Sequence, residues 1–221
     1  MKGCPGPARR RLLVAALVSP LVVAFDNALA GRQAEEPLAD AVRSALSAAI
    51  ANSAPPKPSF LTMEARLAYL RWMGDMSARL QKRKGEHVAR VEFLETLWYE
   101  STRAGLDPSL VLGIVQVESG FRKYAISSAG ARGYMQVMPF WARLIGNGDA
   151  SSLFHMQTNL RFGCVIMRHY LNLERGDLYL ALGRYNGSRG RPEYPGLVFG
   201  ARKAWVPAAP ASVQAAASKS G

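Results

Sequence analysis

A single acid at the end of an apolar run is the feature of this sequence that most clearly invites chemistry. Residues 110–117 are almost wholly apolar, and Glu118 follows them directly. On a helix with about 100° per residue, Val111, Ile114 and Val115 fall within roughly 60° of Glu118. Other apolar residues cover most of the remaining circumference, and a helix that is apolar nearly all round is buried. We therefore expect Glu118 at the end of a buried helix.

A carboxyl group in that position has an altered acidity. Loss of water raises the pKa of a carboxyl group, and the C-terminal end of a helix acts in the same direction. A carboxylic acid that is still protonated near neutral pH can serve as a general acid. The alternative is a structural role in which Glu118 pairs with an arginine, for example Arg122 one turn later. This helix alone does not decide between the two.

Helical periodicity predicts the elements that precede this segment. One helix is predicted over residues 62–84 and a second over 87–105, where Gly105 is a C-terminal stop. Asp107 and Pro108 suit the N-cap and the first position of the third helix. The apolar residues at helical spacing are Met63, Leu67, Leu70, Met73 or Met76 and Leu80 in the first helix, and Val88, Val91, Leu94 and Trp98 in the second.

Two further segments follow the acid, "ISSAGARGYMQVMPF" and "ALGRYNGS". Small residues in the first segment allow the backbone to approach a ligand closely. The segment lacks the lysine and Ser/Thr of a phosphate-binding loop, so it is not expected to bind phosphate. A Tyr-Asn pair before glycine, as in the second segment, is common in turns. Each segment is a weak signal by itself.

In this order and spacing, the segments resemble the soluble lytic transglycosylase family, which has a goose-type lysozyme-like fold. The resemblance covers residues 88–206. Two positions depart from the family pattern, with Tyr134 where leucine is usual and Arg184 where alanine is usual. The matching residues are Glu118 and Ser119 of the catalytic motif, Gly133, Met135 and Gln136 of the Gly-Leu-Met-Gln motif, and Tyr185 and Asn186 of the Ala-Tyr-Asn motif.

The resemblance implies an all-α, mainly helical, lysozyme-like domain with an N-terminal helical extension. It also implies cleavage of peptidoglycan at the β-1,4 bond between N-acetylmuramic acid and N-acetylglucosamine, with formation of 1,6-anhydromuramic acid. Glu118 would act first as acid and then as base, because the 6-hydroxyl of the sugar is the nucleophile. Tyr185 would donate a hydrogen bond to Glu118 and orient it. The residues expected to bind substrate are Ser119, Gly133, Tyr134, Met135, Gln136, Tyr185 and Asn186.

Alternatives to this function remain open from the residues. A hydrolytic muramidase of the same fold would need a second carboxylate, for which Glu193 is the only serious candidate. A non-catalytic peptidoglycan-binding envelope protein could keep the fold without activity. Several aromatic residues either stack on sugar rings or fill the core, namely Phe121, Tyr124, Phe140, Trp141 and Tyr194.

The N-terminal residues indicate export. Three arginines precede an apolar run over residues 12–25, and Ala28 and Ala30 form an A-x-A end. This pattern predicts a signal peptide over 1–30, with an uncleaved anchor as the alternative. The predicted divisions are 1–30 signal peptide, 31–60 linker or flexible arm with a short Ala-rich helix, 61–85 helical extension, 86–206 catalytic domain and 207–221 disordered tail.

The charge of the chain suggests an acidic partner. The formal net charge is +12 and the isoelectric point is about 10.2. We expect peptidoglycan glycan strands as the partner, in the periplasm or cell envelope, and an envelope or secretion machine as a second class of partner. Nucleic acid binding and stable membrane insertion after signal cleavage are not expected. No cofactor or metal site is expected, since His87, His155 and His169 are scattered, and Cys164 is expected to be a buried small hydrophobe.

Overall fold

The computed structural model describes Gln33, Glu35 and residues 37–51 and 58–207. This part of the chain is helical, apart from loops and two isolated bridges, so the mainly α prediction is confirmed for it. The predicted signal peptide and nearly all of the predicted tail lie outside the described residues. The elements are α1 Asp40–Ala51, α2 Met63–Leu80, α3 His87–Arg103, α4 Pro108–Ser119, α5 Pro139–Ile145, a 3-10 helix Ala150–Phe154, α6 Met156–Leu173, α7 Leu178–Asn186 and α8 Glu193–Lys203.

Helix α4 runs through the centre of the core. It begins as predicted, because the side chain of Asp107 accepts a hydrogen bond from the Ser109 backbone nitrogen at 2.8 Å. Nine of its twelve residues are buried, and Gly120 ends it with a φ of 57°. Gly113 lets α8 approach closely, since a Cβ there would lie 3.1 Å from the backbone nitrogen of Arg202. The predicted buried helix therefore exists, and α8 packs along it.

The buried faces of α2 and α3 differ from the predicted ones. Leu67 and Leu70 of α2 are 42% and 51% exposed, whereas Tyr69 is buried. In α3, Leu94 is buried as predicted, but Val88 is 75% exposed. Helix α2 contributes to the core mainly through Met76 and Leu80 near its C-terminal end, so the apolar pattern nearer its start does not face the core. The helix also ends at Leu80 and continues as a turn rather than as helix to residue 84.

A buried ion pair joins α3 to α6 and reaches α1. The Nε and Nη2 atoms of Arg161 donate to Glu100 Oε1 at 3.0 and 2.9 Å. A third nitrogen of Arg161 donates to the carbonyl of Ile50 in α1 at 3.2 Å. The Ala-rich segment predicted as part of the arm is thus a helix, and it packs against α5 and α6.

Two further predictions concern membrane insertion and the state of Cys164. No helix among the described residues is long and apolar enough to span a membrane. Cys164 is fully buried within α6, as expected of a small hydrophobe, and burial raises the pKa of its thiol.

Candidate active site

The carboxyl group of Glu118 lies in the last turn of α4 and is sealed inside the protein. The residue is only 3% exposed. Its Oε1 atom accepts a hydrogen bond from the Tyr194 hydroxyl at 2.5 Å. Its Oε2 atom is buried without a hydrogen-bond partner among the described residues. The Oε1 atom is therefore held in place by a hydrogen bond, and the Oε2 atom is free to accept or donate one.

Burial determines the acidity of Glu118. Loss of solvent raises the pKa of the carboxyl group to about 8, and the hydrogen bond from Tyr194 opposes that rise. The pKa values of the Tyr185 and Tyr194 hydroxyls lie well above the ordinary value, because of burial first and the nearby Glu118 charge second. Both tyrosines are therefore protonated donors, and Glu118 is mostly a neutral acid at pH 7.

Glu118 does not form the alternative ion pair with Arg122 in the structure. The Nε atom of Arg122 donates instead to the backbone carbonyl of Ser119 at 2.9 Å. Within the described part of the chain, the pKa of Glu118 responds to burial and to Tyr194 and not to a charged neighbour. Glu118 is thus an isolated acid, not half of a salt bridge.

Ser119 joins α4 to the glycine-rich loop, which comprises residues 133–136. Its hydroxyl donates to the backbone carbonyl of Tyr134 at 2.7 Å and contacts the Val115 carbonyl at 3.1 Å. Ser119 is buried, so in this arrangement it fixes the loop rather than faces solvent. This bond joins the end of α4 to the loop at Tyr134.

The loop of Gly133 to Gln136 is held by Asn159, a residue that the sequence did not single out. The Oδ1 atom of Asn159 accepts from the Met135 backbone nitrogen at 2.8 Å, and its Nδ2 atom donates to the Leu153 carbonyl at 2.8 Å. Gly133 has a φ of 74°, and a Cβ there would lie 2.7 Å from the Leu153 carbonyl oxygen. Glycine is therefore required at this position by both backbone conformation and space.

Gln136 stabilises the same loop from within. Its side-chain amide donates to the carbonyls of Ala125 and Gly133 at 3.0 and 2.9 Å. The residue is 2% exposed and has a φ of 47°, which is unusual for a residue other than glycine. Its predicted contact with a glycan stays a prediction, since its amide nitrogen is already used by the protein.

The predicted hydrogen bond from Tyr185 to Glu118 is wrong in this structure. The Tyr185 hydroxyl donates to the Met135 carbonyl at 2.8 Å, which ties α7 to the glycine-rich loop. Tyr194, at the start of α8, donates to Glu118 instead. Asn186 is buried beside Tyr185 at the end of α7. The predicted motifs therefore meet around Glu118, but a different tyrosine contacts the acid.

The profile of the family described as "Transglycosylase SLT domain" matches residues 96–196. This region of the chain is similar to a transglycosylase SLT domain. The match includes Glu118, the glycine-rich loop, Tyr185 and Tyr194, which are the groups that the structure brings together. The predicted family resemblance is confirmed for this part of the chain.

Individual relatives match the same region. A "Transglycosylase" of Enterobacteria phage PRD1 is 34% identical over 116 residues, which is 49% of this chain and 42% of the phage protein. A "Membrane-bound lytic murein transglycosylase C" of Histophilus somni (strain 2336) is 48% identical over 104 residues, which is 42% of this chain and 27% of that protein. The matches thus span less than half the length of either relative.

A solved structure also matches, that of an inactive mutant of the lytic transglycosylase Slt from Pseudomonas aeruginosa. It is 23% identical, with a TM-score of 0.41, and the match covers 64% of this chain and 27% of that one.

Glu118 and Tyr134 differ in their access to a cavity. Glu118 is sealed, whereas Tyr134 lines a cavity of about 840 Å³ with Lys84, Lys123 and Glu92. The Lys84 ammonium donates to the Tyr134 hydroxyl at 2.9 Å. The physical reason for the closure is that Tyr194 of α8 packs against Glu118 across the end of α4. Substrate can reach the acid only if a neighbouring side chain moves.

Proposed function

We propose that this chain is a peptidoglycan lytic transglycosylase. It cleaves the β-1,4 bond between N-acetylmuramic acid and N-acetylglucosamine and forms 1,6-anhydromuramic acid. The observation that carries the proposal is the buried Glu118, with one unpartnered oxygen and a pKa of about 8, at the centre of an SLT domain. An acid of this kind can deliver a proton to a leaving oxygen near neutral pH.

The proposed reaction needs one protein carboxyl group. Glu118 donates its proton to the glycosidic oxygen while the bond from that oxygen to the anomeric carbon breaks. The 6-hydroxyl oxygen of the same muramic acid then attacks the anomeric carbon and closes the 1,6-anhydro ring. The proton of that hydroxyl passes to the ionised Glu118, which restores the acid without water. The intramolecular nucleophile is already close, so no second carboxylate has to activate it.

The surroundings of Glu118 favour this reaction over hydrolysis. A muramidase of the same fold would need a second acid in the site. Glu193, the candidate for that role, is exposed at the start of α8. Among the described residues, no carboxylate contributes to the pKa shift of Glu118. A single protonated acid matches the anhydro-forming route better than the two-carboxylate route.

The remaining predicted residues have distinct roles in the proposal. Ser119 and Tyr185 position the loop of Gly133 to Gln136 through its backbone carbonyls. Tyr134, which stands where leucine is usual, forms part of the wall of the cavity of about 840 Å³. Asn186, Met135 and Gln136 bind the glycan after the site opens.

The direct test is the digestion of purified sacculi followed by mass analysis of the muropeptides. We expect 1,6-anhydro ends from the unmodified chain. Glu118→Gln is expected to reduce the rate by about 10²–10⁴-fold, the typical contribution of a general acid–base group. Glu64→Gln is the matched control, because Glu64 is an exposed acid in the first turn of α2.

Two results would contradict the proposal. Reducing-end muramic acid in place of anhydro ends would establish hydrolysis. Undiminished cleavage by Glu118→Gln would remove Glu118 from the reaction.

We also propose that the chain works in the cell envelope after export. Its high positive charge and the predicted signal peptide support this location. Fractionation of cells, with mass measurement of the N-terminus, tests it: a periplasmic chain that begins at Gly31 is expected. An envelope or secretion machine as a partner is a separate prediction, to be tested by cross-linking in intact cells.

A further inference from the structure

A second concave site lies between α2, α3 and the start of α4. It is a cavity of about 740 Å³, within the range of ligand pockets. Aromatic rings form much of its wall, and Phe60, Trp72 and Trp98 are only partly buried. These rings contact Tyr69, with the Tyr69 and Trp98 ring centroids 4.8 Å apart and those of Phe60 and Tyr69 5.0 Å apart. The cavity is thus an aromatic cluster with open faces.

Tyr69 lines this cavity and carries a polar group that has no partner within the described part of the protein. The residue is 8% exposed, and its hydroxyl is buried without a hydrogen-bond partner among the described residues. A buried hydroxyl that makes no hydrogen bond destabilises a protein, so such groups usually have a partner. A ligand in the cavity that reaches this hydroxyl would supply that partner.

Carboxylates stand at the edge of the same cavity. Asp75 is held by Arg79, whose Nε and Nη2 atoms both donate at 2.7 Å. Asp107 accepts from the hydroxyl of Ser109 at 2.7 Å and from the guanidinium of Arg202 at 2.5 Å. These contacts fix the positions of the carboxylates and leave acceptor capacity for a ligand hydroxyl.

We infer that this aromatic cavity is a second glycan-binding site, which holds a pyranose ring of a peptidoglycan strand away from the catalytic acid. The inference rests on the proposed function, because that function supplies the glycan. Asp107 and Pro108 lie at the N-terminal end of α4, and Glu118 lies at its C-terminal end. The helix separates the two by about 16 Å, at 1.5 Å per residue. The second site therefore engages a different part of the strand.

The mixture of groups favours a saccharide over a protein segment. The C–H faces of a pyranose ring pack on indole and phenyl rings, while its hydroxyls donate to carboxylates and to the Tyr69 oxygen. An apolar peptide would cover Asp75 and Asp107 without providing donors at the edge of the cavity, which is unfavourable. Arg79 and Arg202 pair with the two carboxylates, and Arg71 also lines the cavity, so the competition experiment below, and not charge, separates a glycan from an acidic peptide.

The test measures glycan affinity in chains that cannot cleave. Each chain carries Glu118→Gln, and the probes are purified sacculi in a pelleting assay and peptide-free glycan-strand fragments in calorimetric titration. Trp72→Ala is expected to weaken binding of both probes about tenfold, as truncation of an aromatic anchor does. Tyr69→Phe is expected to weaken it about threefold, because it removes only the hydroxyl that the ligand would use. Leu70→Ala is the matched control, since Leu70 is exposed on α2 and does not line the cavity.

Tyr69→Phe also guards against a loss of folding. It keeps the ring and deletes an unpartnered hydroxyl, so its melting temperature is expected to equal or exceed that of the parent chain. Unchanged affinity in both Trp72→Ala and Tyr69→Phe overturns the inference. Competition by free stem peptides, with none by peptide-free glycan, also overturns it and identifies a peptide site.

The outcome is separable from that of the proposed activity. Anhydro products from the unmodified chain together with unchanged affinities in the variants overturn the second site alone. Weakened binding in Trp72→Ala without anhydro products from the unmodified chain overturns the proposed activity alone.

Discussion

Burial of Glu118 couples its protonation to the stability of the fold. Its pKa is about 8 in the folded chain, against an ordinary value of 4.5. The folded state thus binds the proton more tightly than the unfolded state. The stability that this group contributes is fully present below pH 4.5 and is lost as pH rises through about 8.

Glu118→Gln removes this dependence, because a glutamine side chain does not ionise. We expect the free energy of unfolding of the unmodified chain to fall, relative to that of Glu118→Gln, by on the order of a few kcal/mol between pH 5 and pH 9. Urea unfolding at the two pH values measures the difference. The free energies of unfolding of the unmodified chain and Glu64→Gln should change in parallel between the two pH values. If they diverged as much as those of the unmodified chain and Glu118→Gln, the coupling would be disproved.

Tyr194 is a positioning residue for the acid. Its hydroxyl donates to Glu118 Oε1 and lowers the pKa that burial raises. We expect the basic limb of the rate profile of the unmodified chain near pH 8, from the pKa of Glu118, and Tyr194→Phe should move it to a higher pH. It should also reduce the rate about tenfold through poorer orientation of the acid.

The measurement is the pH dependence of kcat/KM on soluble peptidoglycan fragments. Tyr179→Phe is the matched control, because the Tyr179 hydroxyl donates an exposed hydrogen bond to the Gly190 carbonyl at 3.3 Å. A basic limb that stays in place in Tyr194→Phe would contradict the positioning role, whatever happens to the rate.

At the scale of elements, the contact of α6 with the glycine-rich loop has no spare room. A Cβ at Gly163 in α6 would lie 2.7 Å from both Cβ and Cε of Met135. Gly163→Ala should displace the loop and destabilise the protein by about 1–3 kcal/mol, as overpacking of a core does. Gly74→Ala in α2 meets nothing within 4 Å and should stabilise it by about 0.5–1 kcal/mol.

Urea unfolding at one pH compares the two alanine variants with the unmodified chain. A Gly163→Ala variant as stable as Gly74→Ala would show that the loop yields without resistance. Such a loop would then also be too loosely held to keep the Met135 carbonyl in place for the Tyr185 hydrogen bond.

The elements that the sequence predicts well are those with local signals. Asp107, Pro108 and Gly120 fix both ends of α4 within a few residues of chain, so its range and its buried acid follow from the sequence. The exposure of the start of α2 does not follow from the sequence. The spacing of its apolar residues predicts a helix but does not show how far α3 extends beside it. Helix existence is a local property, whereas the buried face is decided by packing.

The same distinction applies to the site. Glu118 and the loop of Gly133 to Gln136 are identified from nearby residues, and both lie within the region that matches the SLT domain model. The partner of the acid, Tyr194, lies 76 residues along the chain. Asn159 lies 24 residues from the Met135 backbone that it binds. Neither contact leaves a pattern in the sequence, so only the folded structure reveals them.

At the scale of the whole molecule, the net charge predicts attraction to an anionic polymer. The chain has 28 Lys and Arg against 16 Asp and Glu. Attraction to an anionic wall is screened as the Debye length falls from about 10 Å at 0.1 M salt to about 3 Å at 1 M. We expect affinity for sacculi to fall steadily with added NaCl, as measured by pelleting of Glu118→Gln.

An uncharged N-acetylglucosamine oligomer provides the control ligand. Its affinity should vary little over the same salt range, because no ion pairs form with it. A sacculus affinity that is equally insensitive to salt would mean that the positive charge serves solubility alone.

The burial of Cys164 gives the chain a built-in reporter of core motion. The thiol sits within α6, fully enclosed, and its burial keeps it in the unreactive protonated form. An alkylating reagent can therefore modify it only during moments when the packing around α6 loosens. The rate at which Cys164 is modified therefore reports how often those openings occur.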